Sequence, residues 1–545
     1  MVFSTASLDR FFGSRISVLC VVFLFLLVLG HPFWSLANIA PIHDGSNCVA
    51  RVSNTSLYLY QGRWGEFWEQ IGGDKNELLS FSYFSMMSFI FGPGRIGWGV
   101  GWGLALLASM FSVSVLARTQ QRRLVYQVSW LIVLLFAPLI WRVGGLLDQR
   151  FDPFSVLLLI PVLVCIFEAR LFVAVVFSFL AVLAKGVALP LVLIIWTCAV
   201  VAGLIPFGAV MRNLPKTWKK VVIEWLLFVG ASFVYLRYFF ESVVSYNLMA
   251  VSTSNSTENP LWIFIKAAVS QIIAGHDAYF LTLFSSHPIV IVVLICAVIA
   301  LFVYQDDAQT KRRNIFSVIF FASTYLLFSA HPIKSPVLVV WFVPAIWALV
   351  SGLDFARIPA CISKNTLLRN TCLIASLLGL LFVNYGSSGL RMPLASQPYW
   401  LSIQNQADKV AAALKASGSK NVRVLANFLW VQGPGMSYNY DAFRVLLFER
   451  LGRDSPSLSG WEIGTGSSDW RKELGMFPVD ETLLFLLSAD GSDEVHHLKI
   501  ARQMADEVLG AVNSACEIDL GHQEPLPIFG RMRAFVVDTS LKKCR

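Results

Sequence analysis

Several short stretches of this chain place ionisable side chains against apolar runs, and each could do chemistry. The stretch APIHDGSN follows a long apolar run and carries His43 and Asp44. A carboxylate in an outer loop at a membrane surface can take the proton of an attacking hydroxyl; the plainer alternative is a solvated loop acid. GGLLDQRFDPF carries Asp148, Arg150 and Asp152. Paired carboxylates can hold a metal and Arg can grip phosphate, although the same residues fit a salt-bridged turn with Asp152 as the cap before Pro153. LAVLAKGVALPLVL sets Lys185 and Gly186 between two apolar runs. A lysine in such surroundings is costly and points to function, unless it snorkels to the interface. HPIKSPVLVVWFVPAI carries His331 and Lys334, and Pro336 and Pro344 interrupt the run that follows. A cation there could bind a lipid phosphate or serve as an interfacial anchor.

The elements that must position these residues follow from composition. Of 545 residues, 56% are hydrophobic and 14% charged, with a mean hydropathy of +0.64. Soluble domains carry roughly 25% charged residues. Repeated long apolar runs without strand alternation imply a polytopic α-helical membrane protein rather than a barrel. Spans are expected at about 16–36, 96–117, 124–141, 153–168, 170–184, 187–206, 220–239, 287–304, 314–330, 336–352 and 370–388. That makes about eleven, a count open up to thirteen, because runs shorter than ~20 residues are marginal. The first run is kept as a span because no small-x-small cleavage site follows it. The segment 79–91 is apolar but short.

With the N-terminus inside, the basic clusters Arg118, Arg122 and Arg123; Arg170; Arg212 to Lys220; Lys311 to Arg313; and Arg357 to Arg369 all fall on the cytoplasmic side. The formal charge is +9, and its excess lies before Arg391, as the positive-inside rule requires. The outer side then receives 36–78, 142–152, 240–286, 331–335 and the C-terminal tail. The polar stretch 36–78, with Glu66, Glu69, Asp74, Glu77, Trp64 and Trp68, is expected as a long loop flooring an active site. The loop 240–286, with Glu241, Lys266, His276 and Asp277, has no metal-binding pattern.

The chain is expected to divide into a multi-span domain, 1–390, and a soluble extracytoplasmic α/β domain, 391–545. In the latter, helices are expected at 407–416, 443–451 and 494–512, and strands at 422–431, 483–487, 517–520 and 532–537. QGPG at 432–435 lacks the residues of a P-loop and fits a turn. Cys516 and Cys544 lie in polar sequence and could pair if exported. Asn54 and Asn255 open N-x-S/T sequons. No basic, aromatic-interleaved patch suited to nucleic acid is present.

In their order along about residues 10–390, these motifs resemble the C-type membrane glycosyltransferases, the superfamily of the aminoarabinose lipid A transferase and the protein O-mannosyltransferases. APIHDGSN matches the acidic motif of the first outer loop, with Gly45 where the family's Asp-Glu pair has its second acid. LLSFSYFSMMSFIFGPG is similar to the loop-to-span passage, without the family's prolines at its start. Asp152, Lys185 and Gly186 fall in register with the second loop and its Lys-Gly. HPIKSPVLVVWFVPAIWAL resembles the late Pro-containing span, with the family's tyrosine replaced by Val or Trp.

The resemblance implies a polyprenyl-phosphate-linked sugar donor and a glycan, lipid or protein acceptor on the outer face of a bacterial inner or plasma membrane. It implies Asp44 as base in a direct, inverting displacement, Asp152 as a second catalytic acid, and Arg150, Lys185 and Lys334 on the donor phosphate. His43, Asp148, His331 and Trp64 would line the substrate. It names no certain cofactor and leaves a divalent cation open. A lipid-linked polysaccharide polymerase would call for a large Arg-rich late outer loop, and a transporter or flippase for internal repeats and broken central helices; neither pattern is evident.

Overall fold

The computed structural model describes residues 43–73, 77–118, 120–135, 150–205, 230, 308–330, 336–352, 397–426, 431–433, 436–438, 440–462, 482–488, 506–523, 531–539, 541 and 543–544. The expected spans 16–36, 220–239, 287–304 and 370–388 and the loop 240–286 lie outside the described residues. The chain divides into two compact units: 1–27, 74–80 and 103–390; and 28–73, 81–102 and 391–545. The helices in chain order are α1 (His43–Tyr60), α2 (Trp64–Gly73), α3 (Leu78–Phe91), α4 (Arg95–Leu116), α5 (Gln120–Leu135), α6 (Asp152–Phe167), α7 (Leu171–Ala184), α8 (Ala188–Val201), α9 (Ala308–Ala330), α10 (Val343–Gly352, preceded by a 3-10 helix Pro336–Phe342), α11 (Gln397–Ser417) and α12 (Tyr440–Leu451). Among the described residues, α4 is the one helix long and apolar enough to cross a membrane by length and composition. At a 1.5 Å rise, the 16 residues of α6 reach about 24 Å, short of the ~30 Å hydrocarbon layer.

In the first unit, α6 is the centre. Its sequence DPFSVLLLIPVLVCIF is apolar all round, and such a helix must be buried all round. Pro161 cannot donate to the carbonyl of Leu157, four residues back. Ser109 Oγ of α4 fills that place, donating to Leu157 O at 3.0 Å. The hairpin to α7 is pinned by Ser155 Oγ donating to Ala181 O at 2.7 Å. α6 ends in a Schellman turn: Arg170 N donates to Cys165 O at 2.7 Å and Ala169 N to Ile166 O at 3.1 Å. The left-handed residue of that turn is Ala169, at φ 53°, where glycine is usual.

Glu168 sits in this turn with its side chain fully buried. Both its carboxylate oxygens accept from Arg122 Nη1 at 3.2 Å, and Oε1 also accepts from the Tyr126 hydroxyl at 2.9 Å. Arg313 Nη2 lies 3.6 Å from Oε1 and donates to Phe167 O at 2.6 Å. One buried carboxylate thus ties α5, α6 and α9 together.

The second unit corrects the expected loop at 36–78. Its described part is helical, as α1 and α2. No proline interrupts 43–73, and α1 buries Val49, Val52, Leu57 and Leu59. The Tyr60 hydroxyl donates to Ser88 O at 3.0 Å and also bonds Phe89 O. Burial pushes that hydroxyl above its ordinary pKa, and Arg453, whose guanidinium lies 5.2 Å from the ring centroid, opposes the shift.

The sheet of this unit has the order β4-β1-β5-β6, made of β1 (Asn421–Ala426), β4 (Ser457–Glu462), β5 (Thr482–Ser488) and β6 (Met532–Asp538). β1 runs parallel to β4 and β5, and β6 antiparallel to β5. β4 was not expected, because Ser-Leu-Ser-Gly is poor in strand formers. Its open edge is covered by side chains: Asn54 Oδ1 of α1 accepts from Leu458 N at 2.9 Å, and Arg444 Nε donates to Leu458 O at 3.0 Å. Such covering blocks edge-to-edge pairing and commits the Asn54 amide to packing. In an antiparallel pair, β2 (Val431–Gly433) with β3 (Met436–Tyr438), Gln432 and Gly433 of the expected QGPG turn are strand residues. The expected strand at 517–520 is a single bridge, Glu517 to Phe535. Cys516 and Cys544 form a disulfide.

Arg95, at the start of α4, grips Glu449 of α12 with Nε to Oε1 at 2.5 Å and Nη2 to Oε2 at 2.6 Å. Gly94, at φ +92°, allows this approach, since a Cβ there would stand 2.5 Å from Glu449 Cγ.

Candidate functional site

Within the first unit, segments far apart in sequence converge on Lys185. α7 ends there: Lys185 has left helical geometry, at φ −157° and ψ 119°. Its N–H still donates to Ala181 O at 3.1 Å, and its carbonyl accepts from Ala188 N at 2.9 Å at the start of α8. Pro190 falls in the first turn of α8, where a missing N–H is tolerated. The break fixes the lysine at the junction of two apolar helices.

Asp152 is the first residue of α6, with Phe151 rather than Asp152 in the cap position. Its carboxylate therefore turns to tertiary partners. Oδ2 lies 3.6 Å from Lys185 Nζ, and Oδ1 accepts from Trp341 Nε1 at 3.2 Å. Trp341 is fully buried in the 3-10 turn before α10. The place at the end of α6 suits an acid, because helix N-termini carry partial positive charge.

Glu77, just before α3, completes the cluster by ion-pairing with Lys185 Nζ. Ser80 Oγ donates to Ala184 O at 2.6 Å and holds the start of α3 against the lysine's turn. The side chains of Lys185, Glu77 and Asp152 are 20%, 11% and 14% exposed, so water reaches them sparingly. Two carboxylates on one ammonium, in partly dry surroundings, interact strongly. Such a group can seat an anion on the lysine only by sharing or displacing a carboxylate, and can seat a cation on the acids.

Of the residues singled out from sequence, Asp152 and Lys185 meet here. Arg150 is half-buried two residues before Asp152. His43 and Asp44 form the first positions of α1, in the second unit. Trp64 opens α2 and is 51% exposed. Asp148, His331 and Lys334 lie outside the described residues. Two further members escaped the sequence reading. Glu77, expected only as one of several acids in the loop at 36–78, is buried against Lys185. Trp341 supplies an N–H to Asp152 in the run where the family's tyrosine is replaced. No local signal marks Glu77; the replaced tyrosine was a signal for Trp341. Among the described residues, no three His, Cys, Asp or Glu side chains gather as a metal site.

No protein-family model matches the chain, and no curated protein matches it. Its fold matches that of ArnT from Cupriavidus metallidurans bound to undecaprenyl phosphate, with a TM-score of 0.51 and 12% identity, over 98% of this chain and 100% of that one. The apo state of the same protein matches with a TM-score of 0.47 and 12% identity, over 96% and 99%. The chain thus shares the fold of ArnT, the aminoarabinose lipid A transferase among the C-type glycosyltransferases that its motif order resembles.

Proposed function

We propose that this chain transfers a sugar from a polyprenyl-phosphate donor in the bilayer to an acceptor on the outer face. The observation that carries this reading is the partly buried Lys185 between Asp152 and Glu77, in a chain that shares the fold of a protein solved with undecaprenyl phosphate. A leaving lipid phosphate needs fixed positive charge, for which Lys185, Arg150 and Lys334 are the proposed sources. Asp152, held by Trp341, orients Lys185 and remains the second proposed catalytic acid.

Asp44 is the proposed base. The acceptor oxygen bonds the anomeric carbon and gives its proton to Asp44, while the bond from that carbon to the phosphate oxygen breaks and polyprenyl phosphate leaves with the electron pair. Direct displacement inverts the anomeric centre. His43, Asp148, His331 and Trp64 are the proposed substrate-lining residues, and a divalent cation remains open.

In the proposed topology about eleven spans cross the membrane within 1–390, the N-terminus is cytoplasmic and 391–545 is exported. The meeting of Arg122 and Arg313 at Glu168 supports placing their segments on one side. The disulfide supports an oxidising compartment for the tail. Purified protein given a panel of polyprenyl-phosphate sugars and envelope acceptors should release polyprenyl phosphate. Asp44→Asn should reduce that release by about 100-fold or more, the scale of a lost general base; undiminished release would remove Asp44 from the mechanism.

A further inference from the structure

We propose that Glu77 competes with the ligand's phosphate for Lys185, and so weakens the hold on the leaving polyprenyl phosphate more than the hold on the donor. The inference rests on the reading of Lys185 as a phosphate-binding residue.

The competition follows from how differently the two acids are held. Asp152 belongs to a fully packed helix, and its second oxygen is bonded to buried Trp341. Glu77 precedes the first turn of α3, outside any helical ladder, yet it makes the closer contact with the ammonium. An arriving phosphate meets a lysine flanked by two negative charges. Moving Asp152 disturbs the first turn of α6 and the Trp341 contact, whereas Glu77 precedes its helix and can turn from Lys185 without unwinding it. Glu77 is therefore the partner that yields.

The charge of the ligand sets the size of the effect. A sugar-linked polyprenyl phosphate is a diester with a single negative charge. The released monoester carries roughly −1.5 to −2 at pH 7, as other phosphomonoesters do. Repulsion by Glu77 acts more strongly on the product, so the same contact that tempers donor binding favours product release. Asp152 keeps Lys185 paired when Glu77 is neutralised, so the variant retains a folded site.

The test is binding of undecaprenyl phosphate to the full-length protein in lipid nanodiscs. Glu77→Gln and Glu77→Ala should each tighten binding by roughly tenfold, the scale of a coupling between competing ligands. Glu77→Asp, which keeps the charge, should stay near the unaltered protein. Lys185→Gln should weaken binding, and in that background Glu77→Gln should bring less gain. If Lys185→Gln weakens binding while both neutral Glu77 variants leave it unchanged or weaken it, the competition is overturned and the phosphate reading of Lys185 stands. If Lys185→Gln leaves binding unchanged, the phosphate reading of Lys185 fails, and the competition with it.

Discussion

The two ends of α6 carry opposite kinds of ionic cluster. At its start, Asp152 shares Lys185 with Glu77: two acids on one base, each partly exposed, with Lys185 and Asp152 3.6 Å apart. At its end, Glu168 is fully buried under Arg122, Arg313 and Tyr126, so bases outnumber the acid. The helix dipole favours the acid at the first end and opposes it at the second. An acid at a helix C-terminus persists only when cations or donors neutralise it, and here they come from neighbouring helices. The acid-rich end sets two acids on one lysine, whereas the base-rich end holds a fully buried carboxylate that fixes the packing of its helices. Charge alone does not separate the two clusters; the burial of the acid and the ratio of partners do.

This contrast can be broken by substitution at either end. Glu168→Ala should have the largest effect, a loss of about 3 kcal/mol in stability, because it removes the fully buried carboxylate that Arg122, Arg313 and Tyr126 share. Thermal unfolding of the purified protein reads it, and a loss below about 1 kcal/mol would show the two ends to be alike. Asp152→Asn should act the other way. Turnover should drop by about 100-fold, with the unfolding temperature close to that of the unaltered protein. Trp341→Phe keeps most of the packing and removes the N–H to Asp152, so it should destabilise by about 1 kcal/mol and lower turnover less than Asp152→Asn does. Ala169→Gly should have the smallest effect and the opposite sign. Relief of a left-handed alanine should stabilise the turn by up to about 1 kcal/mol, visible as a raised unfolding temperature with unchanged turnover.

Much of the helical layout was legible because apolar runs have a length and periodicity of their own. The expected segments 153–168 and 170–184 correspond to α6 and α7 within a residue at each end, and 314–330 falls inside the longer α9. The strand expected at 532–537 is β6. The helices α1 and α2 were hidden because their polar residues outnumber the apolar ones that pack. β4 was hidden because its pairing with β1, and the covering of its edge by Asn54 and Arg444, are tertiary facts. At the candidate site, Lys185 and Asp152 stood out as charges beside apolar runs. Glu77 did not, since it looked like any other acid in a polar stretch.

The amino-acid sequence by itself determined which stretches form apolar helices and which charges must find partners. Hydrophobicity and the cost of burying a charge are properties of local sequence. Only the tertiary structure decided which partners those are. Glu77 lies 108 positions from Lys185, and Trp341 lies 189 from Asp152. Ion pairs and hydrogen bonds act over a few ångströms in space, and nothing in the spacing along the chain encodes that proximity.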